Sequence, residues 1–143
     1  QSNIIIYSPG TQHSSLYPSY LSTGLSERIA ENKNAFKVFI TNIGADYETP
    51  SYKASDYILG AYKYLSLSSN RNFSIKDFFD INLINKSNSK EDNTYVKYDK
   101  ENIEKLPIDS CLDEFEDRKY LGKHNGEKIV DTILDLYEKN FLI

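Results

Sequence analysis

This chain of 143 residues lacks several features that would point to a particular environment or partner. It has a single cysteine, Cys111, so no disulfide can form within the chain, and we expect this residue to be a small buried side chain. No apolar run is long enough to cross a bilayer, and no signal-peptide pattern is present. The net charge of −4 provides no basic surface for nucleic acid. We therefore expect a cytoplasmic protein with neither membrane nor nucleic-acid partners.

Methionine is also absent, and the chain begins almost directly on an apolar stretch, Asn3 to Tyr7. Such a stretch is too apolar for a frayed terminus, so we expect a piece of a longer protein. The missing amino-terminal half of the same chain would then supply part of any active site. The length and the 39% hydrophobic content suit one domain over residues 1–143, and the sequence leaves a homo-oligomer open.

Apolar runs and amphipathic stretches alternate along the chain. Strands are predicted at residues 4–7, 35–40 and 81–84, with further short strands at 95–98 and within 107–115. Helices are predicted at residues 25–32, with Ser22 or Thr23 as the cap, and at residues 54–65, with Ser51 as the cap. One helical turn is predicted at residues 75–79. A last helix is predicted after the cap Asn125, and its apolar face comprises Ile129, Val130, Ile133, Leu134 and Tyr137. Residues 85–94 read as a polar surface excursion. The alternation predicts an α/β fold, a Rossmann-like parallel sheet with helices on both faces.

Two connections are longer than such a fold requires, residues 8–22 (loop 1) and residues 41–52 (loop 2). Both follow the carboxyl end of a predicted strand, which is where parallel sheets bind ligands. In loop 1, Gly10 permits close approach of the backbone, and Thr11, Ser14 and Ser15 add hydroxyl and N–H donors that suit a phosphate. The same composition is typical of an ordinary turn, so both interpretations stay open. No Walker-type lysine follows Gly10, which argues against P-loop chemistry.

The ionisable residues allow other sites, each with a simpler alternative. His13 and His124 are far apart in sequence with no cysteine beside either, so a zinc site is not expected. The carboxylates of Asp46, Glu48 and Asp56 could hold a hard cation such as magnesium, but a solvated loop and a helix-start charge are favoured.

Aromatic residues are frequent, with 12 tyrosines. Most are expected in the core or at the sheet edge. Tyr17, Tyr20 and Tyr52 lie in or near the two loops and could instead stack on a ligand ring.

Three segments together resemble a known family. The segment "SPGTQHSSLYPSYLSTGL" of loop 1 resembles "GPGSxYTSxxPxLLxxGI" of the CofD-like family, "ETPSYKASDYI" resembles its "ETDGYTASDHV", and "KHNGEKIVDTIL" resembles its "RHDPEKLAxALL". The identical positions are Pro9, Gly10, Ser15, Pro18, Leu21, Gly24, Glu48, Thr49, Tyr52, Ala54, Ser55, Asp56, His124, Glu127 and Lys128. The three segments occur in the family's order and span nearly the whole chain. The family's glycine-rich "GGGTG" start is absent, so the resemblance implies the carboxyl-terminal half of a CofD-like fold.

This family contains 2-phospho-L-lactate transferases and bacterial gluconeogenesis factor proteins. The resemblance implies either of two functions. Transferases attach a phosphate-linked lactyl or enolpyruvyl group from a guanosine diphosphate donor to a deazaflavin with magnesium, whereas gluconeogenesis factors bind a nucleotide sugar and regulate metabolism. The ligand is therefore expected to be a nucleotide or a phosphorylated small molecule. The phosphate or substrate site would comprise Gly10, Thr11, His13, Ser14, Ser15, Asn42, Glu48 and Thr49.

The sequence also departs from the family pattern. In loop 1, Ser8 stands where the family has its first loop glycine, and His13 stands where tyrosine is common. In loop 2, residues 44–47 replace the family's "MTQPG" segment, and Pro50 and Ser51 replace an Asp-Gly pair. In such a site loop 2 helps to select the ligand, so these departures leave the substrate and any catalytic residue open. Three functions stay open: a CofD-like transferase domain, a non-catalytic nucleotide-sugar regulator, and a degenerate partner-binding domain.

Overall fold

A computed structural model describes residues 2–86 and 94–141 of the protein. Its centre is a four-stranded sheet in the order β1-β2-β3-β4, and every pair of neighbouring strands is parallel. The strands are β1 (Ile4–Tyr7), β2 (Phe36–Ile40), β3 (Ile81–Asn85) and β4 (Asp109–Asp113). Because all four strands are parallel, their carboxyl ends meet at one edge of the sheet.

Six helices accompany this sheet in the described residues. They are α1 (Tyr17–Tyr20), α2 (Leu25–Glu31), α3 (Ala54–Leu67), α4 (Ile75–Phe78), α5 (Lys100–Ile103) and α6 (Gly126–Phe141). A π-helical turn, Gln12–Leu16, leads into α1, where Pro18 occupies an early position that needs no backbone N–H.

The strand residues alternate between two apolar clusters, one on each face of the sheet. Phe39 of β2 and Ile84 of β3 pack with helices α1 to α5, where Tyr57, Ile58 and Leu65 of α3 are fully buried. On the other face the cluster comprises Phe36, Val38, Ile40, Ile43, Ile81, Leu83, Phe115, Ile129 and Ile133, the last two from α6. Helices therefore cover both faces of a parallel sheet, which confirms the predicted Rossmann-like α/β architecture.

Two predicted helix caps are wrong. Helix α2 begins after Gly24, whose φ of 77° is left-handed, rather than at a capping Ser22 or Thr23 side chain. Helix α3 begins after Lys53, whose N–H donates to the Asp56 carboxylate at 2.8 Å, so Ser51 plays no capping role. In both cases the turn geometry is set by residues closer to the helix than the predicted hydroxyl.

The strand predictions need two corrections. Residues 95–98 form isolated bridges, Gly44 with Tyr95 and Lys53 with Lys97, rather than a strand of the sheet. The predicted excursion at 85–94 is wrong at its start, because Asn85 is the buried last residue of β3. Its side-chain oxygen accepts the N–H groups of Phe115 and Glu116, and residues 87–93 of the excursion lie outside the described residues.

Helix α6 matches its prediction at the cap and only partly on its apolar face. The Asn125 side chain accepts the N–H of Lys128 at 3.1 Å. Ile129 and Ile133 are buried, but Val130 is 52% exposed and Leu134 is 46% exposed. In the part of the chain that the structure describes, no helix is both long enough and apolar enough to cross a membrane.

Candidate functional site

Loops 1 and 2 are joined at the carboxyl ends of β1 and β2 by one reciprocal pair. The N–H of Gly10 donates to Oδ1 of Asn42 at 3.0 Å, and Nδ2 of Asn42 donates to the carbonyl oxygen of Gly10 at 2.9 Å. A carboxamide carries a donor and an acceptor side by side, so it can pair with the N–H and the carbonyl oxygen of one residue at once. The prediction that Gly10 and Asn42 lie together is therefore confirmed.

A cavity of about 410 Å³ opens beside this pair. It is lined by three segments, residues 9–11 of loop 1, residues 42–47 of loop 2 and residues 122–124, which directly precede α6. The third segment reaches loop 2 through two glycines. A Cβ on Gly44 would lie 3.3 Å from the carbonyl oxygen of Gly122, and Gly122 itself has a left-handed φ of 75°. Larger residues at these two positions would push the third segment away from the cavity.

Charged groups of both signs line the cavity. Lys123 is exposed there and forms no ion pair with any other described residue. Asp46 contributes a carboxylate, and one of its oxygens accepts the N–H of Glu48 at 2.9 Å. Thr11 adds a hydroxyl group. The cavity thus offers an ammonium and a hydroxyl donor to an anion, with one carboxylate nearby that could hold a cation.

His124 also lines the cavity, and it is half-buried. Its Nε2 lies 3.1 Å from the carbonyl oxygen of Thr41, at the end of β2. Burial lowers the pKa of His124 below its ordinary value of 6.5, and the bond to Thr41 only partly opposes this shift.

Glu48 occupies backbone donors that the sequence analysis assigned to a phosphate. Its Oε2 accepts the N–H groups of His13 at 3.0 Å and Ser14 at 3.1 Å, within the turn before α1. Hydrogen bonds from the Ser14 hydroxyl and from these two amides lower the pKa of Glu48. These amides are therefore not free, because a carboxylate of the same chain already binds them.

The other predicted site residues are divided between surface and interior. Ser15 is exposed, and its carbonyl oxygen accepts the hydroxyl of Ser19. Thr49 is buried beneath loop 2, with its Oγ1 3.0 Å from the hydroxyl of Tyr57. Neither residue lines the cavity of about 410 Å³. The structure therefore brings Gly10, Thr11 and Asn42 to the cavity and leaves His13, Ser14, Ser15, Glu48 and Thr49 outside its lining.

The three loop carboxylates that could have formed a cation site have separate structural partners. Glu48 binds the amides of loop 1, Asp56 accepts the N–H of Lys53 at the start of α3, and Asp46 accepts the N–H of Glu48. Among the described residues, no group of three or more histidine, cysteine, aspartate or glutamate side chains is arranged to hold a metal ion. The favoured interpretation as loop and helix-start charges fits these contacts.

The tyrosines near the loops belong mainly to the core. Tyr17 is 2% exposed and stacks on Tyr64 with ring centroids 4.1 Å apart, and Tyr20 is also buried. Burial raises the pKa of Tyr20 to about 12. Stacking of Tyr17 or Tyr20 on a ligand ring is therefore wrong. Tyr52 is half-buried against Tyr57 and does not line the cavity.

Sequence reasoning missed three residues that shape the site. Lys123 and His124 lie 71 and 72 residues beyond the end of loop 2, at residue 52, and the rule that loops gather at one sheet edge is what could have placed them at the cavity. Gln12 is 1% exposed, and its Nε2 donates to the carbonyl oxygen of Gly10 at 2.8 Å. No sequence signal distinguishes this buried glutamine from an ordinary surface one.

The Glu48 contact predicts a pH-dependent attachment of loop 1. Because the folded pKa of Glu48 is lowered, its stabilisation is present above the ordinary value of 4.5 and is lost as the pH falls through the folded pKa. We expect Glu48→Gln to lower the urea midpoint more at pH 7 than at pH 3. Glu138→Gln, on the exposed side of α6, is the matched control and should alter neither midpoint. Equal losses at both pH values for Glu48→Gln would contradict this assignment.

Comparison with known proteins adds evidence independent of this geometry. The family described as 2-phospho-L-lactate transferase CofD matches residues 1–123. This match includes loops 1 and 2 and ends at Lys123, so the segment "KHNGEKIVDTIL" lies almost wholly beyond it.

Two curated relatives are the proteins named gluconeogenesis factor from Listeria innocua and Listeria monocytogenes. Each is 28% identical over 142 residues, which cover 94% of this chain and 41% of the relative. The chain thus spans about two fifths of the length of these relatives.

Two crystal structures of a protein from Bacillus halodurans, described in one case as a member of the UPF0052 family, have the same fold. Their TM-scores are 0.75, at 21% and 23% identity, and the match covers 93% of this chain and 43% of theirs.

Proposed function

The chain belongs to the CofD family, and from this membership we propose that it binds a nucleotide or another phosphorylated small molecule in the cavity between loops 1 and 2. In the full-length protein this binding would serve the transfer of a phosphate-linked group, as the description of the family implies. The observation that carries the proposal is that Lys123, which forms no ion pair with any other described residue, lines the same cavity as the Gly10–Asn42 pair at the carboxyl edge of a parallel sheet.

The cavity supports binding of a phosphate group by positioning and charge. The Lys123 ammonium provides a point charge for phosphate oxygens, and the Thr11 hydroxyl provides a neutral donor. Gly44 lets loop 2 approach Gly122 closely on the far side of the cavity, because a Cβ there would lie 3.3 Å from the Gly122 carbonyl oxygen. Transfer of a phosphate-linked group relies mainly on such positioning and electrostatic stabilisation, so the proposal does not need a nucleophilic side chain.

Magnesium remains part of this proposal. A magnesium ion is usually held by one or two carboxylates together with the phosphates of its ligand. Asp46 is the carboxylate that lines the cavity, and its Oδ1 accepts the N–H of Glu48, while no other described residue donates a hydrogen bond to its second oxygen. When bound, magnesium would neutralise part of the phosphate charge beside Asp46.

A second candidate is regulatory binding of a nucleotide sugar without catalysis. The Listeria relatives are named gluconeogenesis factor, which favours this role for a chain that matches 94% of its length to them. Magnesium-dependent binding of guanosine diphosphate would support the transferase, and selective binding of a uridine diphosphate sugar would support the regulator. A folded full-length protein that binds neither would be a degenerate domain with a protein partner.

Lys123→Ala tests the proposed site directly. We expect the affinity for inorganic pyrophosphate to fall by about 10-fold or more, because a hydrogen bond to a charged group is worth roughly 1.5–3 kcal/mol. Isothermal titration on the full-length protein measures this change. Lys119→Ala is the matched control, since Lys119 is an exposed lysine outside the cavity, and it should bind as the unchanged protein does. Equal affinities for both variants would exclude Lys123 from the site.

We propose that further elements of the family fold pack against the exposed apolar residues on and near β1. Ile6 of β1 is 48% exposed on the face that α6 covers, and Val130 and Leu134 of α6 are also exposed. The relatives are more than twice as long as the matched region, so further elements of the same fold can cover these side chains. A cytoplasmic location stays a prediction.

A further inference from the structure

The contact between His124 and Thr41 determines the tautomer of the imidazole. Nε2 lies 3.1 Å from the Thr41 carbonyl oxygen, which can only accept a hydrogen bond. Nε2 must therefore carry the proton. The same bond fixes the ring against the end of β2, at the wall of the cavity.

The other ring nitrogen is then left as an acceptor. No described residue makes a hydrogen bond or an ion pair with Nδ1 of His124, and the two charged residues that share the cavity are Asp46 and Lys123. Burial favours the neutral ring, as the lowered pKa of His124 indicates. A neutral imidazole with its proton on Nε2 presents a lone pair at Nδ1.

A lone pair of this kind does not suit a phosphate. Phosphate oxygens are acceptors, so two acceptors would face one another and neither could be satisfied. A hydroxyl or N–H group is the complement of Nδ1. The cavity volume of about 410 Å³ is in the range of sites that hold whole small molecules, so it has room for more than an anion.

We infer that Nδ1 of His124 accepts a hydrogen bond from a hydroxyl or N–H group on the nucleoside or sugar part of the ligand. His124 is then a specificity-determining residue, while Lys123 and Thr11 hold the phosphate part. This inference rests on the proposed function, because it requires a phosphorylated ligand in the same cavity.

Two amide variants separate this role from a structural one. In His124→Gln the side-chain nitrogen can take the place of Nε2 and keep the bond to Thr41, but the acceptor at Nδ1 is lost. In His124→Asn a polar atom remains close to the position of Nδ1, but the bond to Thr41 is lost. A purely structural role is therefore preserved better by glutamine, and a ligand-binding role is preserved better by asparagine.

The test compares inorganic pyrophosphate with guanosine diphosphate and uridine diphosphate, titrated into the full-length protein by calorimetry. For His124→Gln we expect the affinity for pyrophosphate to stay within 2-fold and the affinity for at least one of the nucleotides to fall about 5- to 10-fold, the effect of one neutral hydrogen bond. His124→Asn should retain more of the discrimination between this nucleotide and pyrophosphate and should have a lower melting temperature.

Three results would overturn the inference. One is that His124→Gln binds the nucleotides and pyrophosphate as the unchanged protein does. Another is that it loses affinity for all of them equally, which would make His124 structural. The third is that the unchanged protein does not bind pyrophosphate, and this result alone would also overturn the proposed function. If His124→Gln does not fold, His124→Asn is the test: retained discrimination between the nucleotide and pyrophosphate supports the inference, and lost discrimination overturns it.

Discussion

Replacing Gly60 by alanine will destabilise the protein by about 1–3 kcal/mol, the usual effect of forcing an extra methyl group into a packed core. Gly60 lies within α3, where alanine would ordinarily be favoured over glycine by about 1 kcal/mol. The packing of α1 reverses this preference. A Cβ on Gly60 would overlap the hydroxyl oxygen of Tyr17 and lie 3.0 Å from its Cζ. Urea unfolding of the full-length protein measures the change.

To relieve this overlap Tyr17 must move, and because Tyr17 belongs to loop 1, a change at Gly60 would also affect that loop. Tyr17 begins α1 directly after the turn of loop 1, and its ring is held by stacking on Tyr64. We expect Tyr17→Phe to recover part of the stability lost in Gly60→Ala, because it removes the overlapping oxygen and leaves the ring carbon Cζ, 3.0 Å away, as the nearest atom of this side chain. No recovery in this double variant would show that Tyr17 is not the obstacle.

Gly126→Ala is the matched control for Gly60→Ala. Gly126 is the first residue of α6, and a Cβ there would meet no heavy atom within 4 Å. Its φ is not left-handed, so alanine fits the native backbone and should stabilise the protein by about 0.4–1 kcal/mol. A destabilising Gly126→Ala would mean that the Gly60 result cannot be attributed to the contact with Tyr17.

The sheet could be predicted from sequence because its strands are short apolar runs separated by clear turn signals. Phe36–Ile40 is buried at every residue, as a central parallel strand must be. Details that depend on single contacts could not be predicted. Gly24 and Lys53 precede their helices where hydroxyl residues were expected, and Val130 is exposed although it has the spacing of a buried residue. Helical periodicity identifies an apolar stripe and cannot show how much of it a neighbour covers.

The sequence predicted that loops 1 and 2 lie together, but it did not predict the other contacts around the cavity. Gly10 and Asn42 meet because parallel strands end at the same edge of the sheet, which is a rule of topology. The contact of Glu48 with the amides of His13 and Ser14 follows from the fold of two loops around each other, and residue types alone do not encode it. Likewise, the position of Lys123 at the cavity depends on how a segment distant in sequence folds against loop 2, which residue types alone do not encode.

Asn42→Asp should have the largest effect on ligand binding, because it alters one atom at the centre of the site. Aspartate can still accept the N–H of Gly10, but its second oxygen would face the Gly10 carbonyl oxygen where Nδ2 now donates at 2.9 Å. Two acceptors in contact repel, and the new negative charge opposes an anion. We expect pyrophosphate affinity at pH 7.5 to fall by 10-fold or more and stability to fall by about 1–3 kcal/mol.

Asn140→Asp is the matched control, because Asn140 also donates to a carbonyl oxygen, that of Leu136 at 2.7 Å, on the exposed surface of α6. In this variant too an amide nitrogen is replaced by an oxygen, but outside the cavity, so pyrophosphate binding should be unchanged. A lower pH should partly restore Asn42→Asp, because a protonated carboxyl group can donate to Gly10 again. If Asn42→Asp binds pyrophosphate as tightly as Asn140→Asp does, the junction of loops 1 and 2 is not the anion site, since a carboxylate there would have to weaken binding.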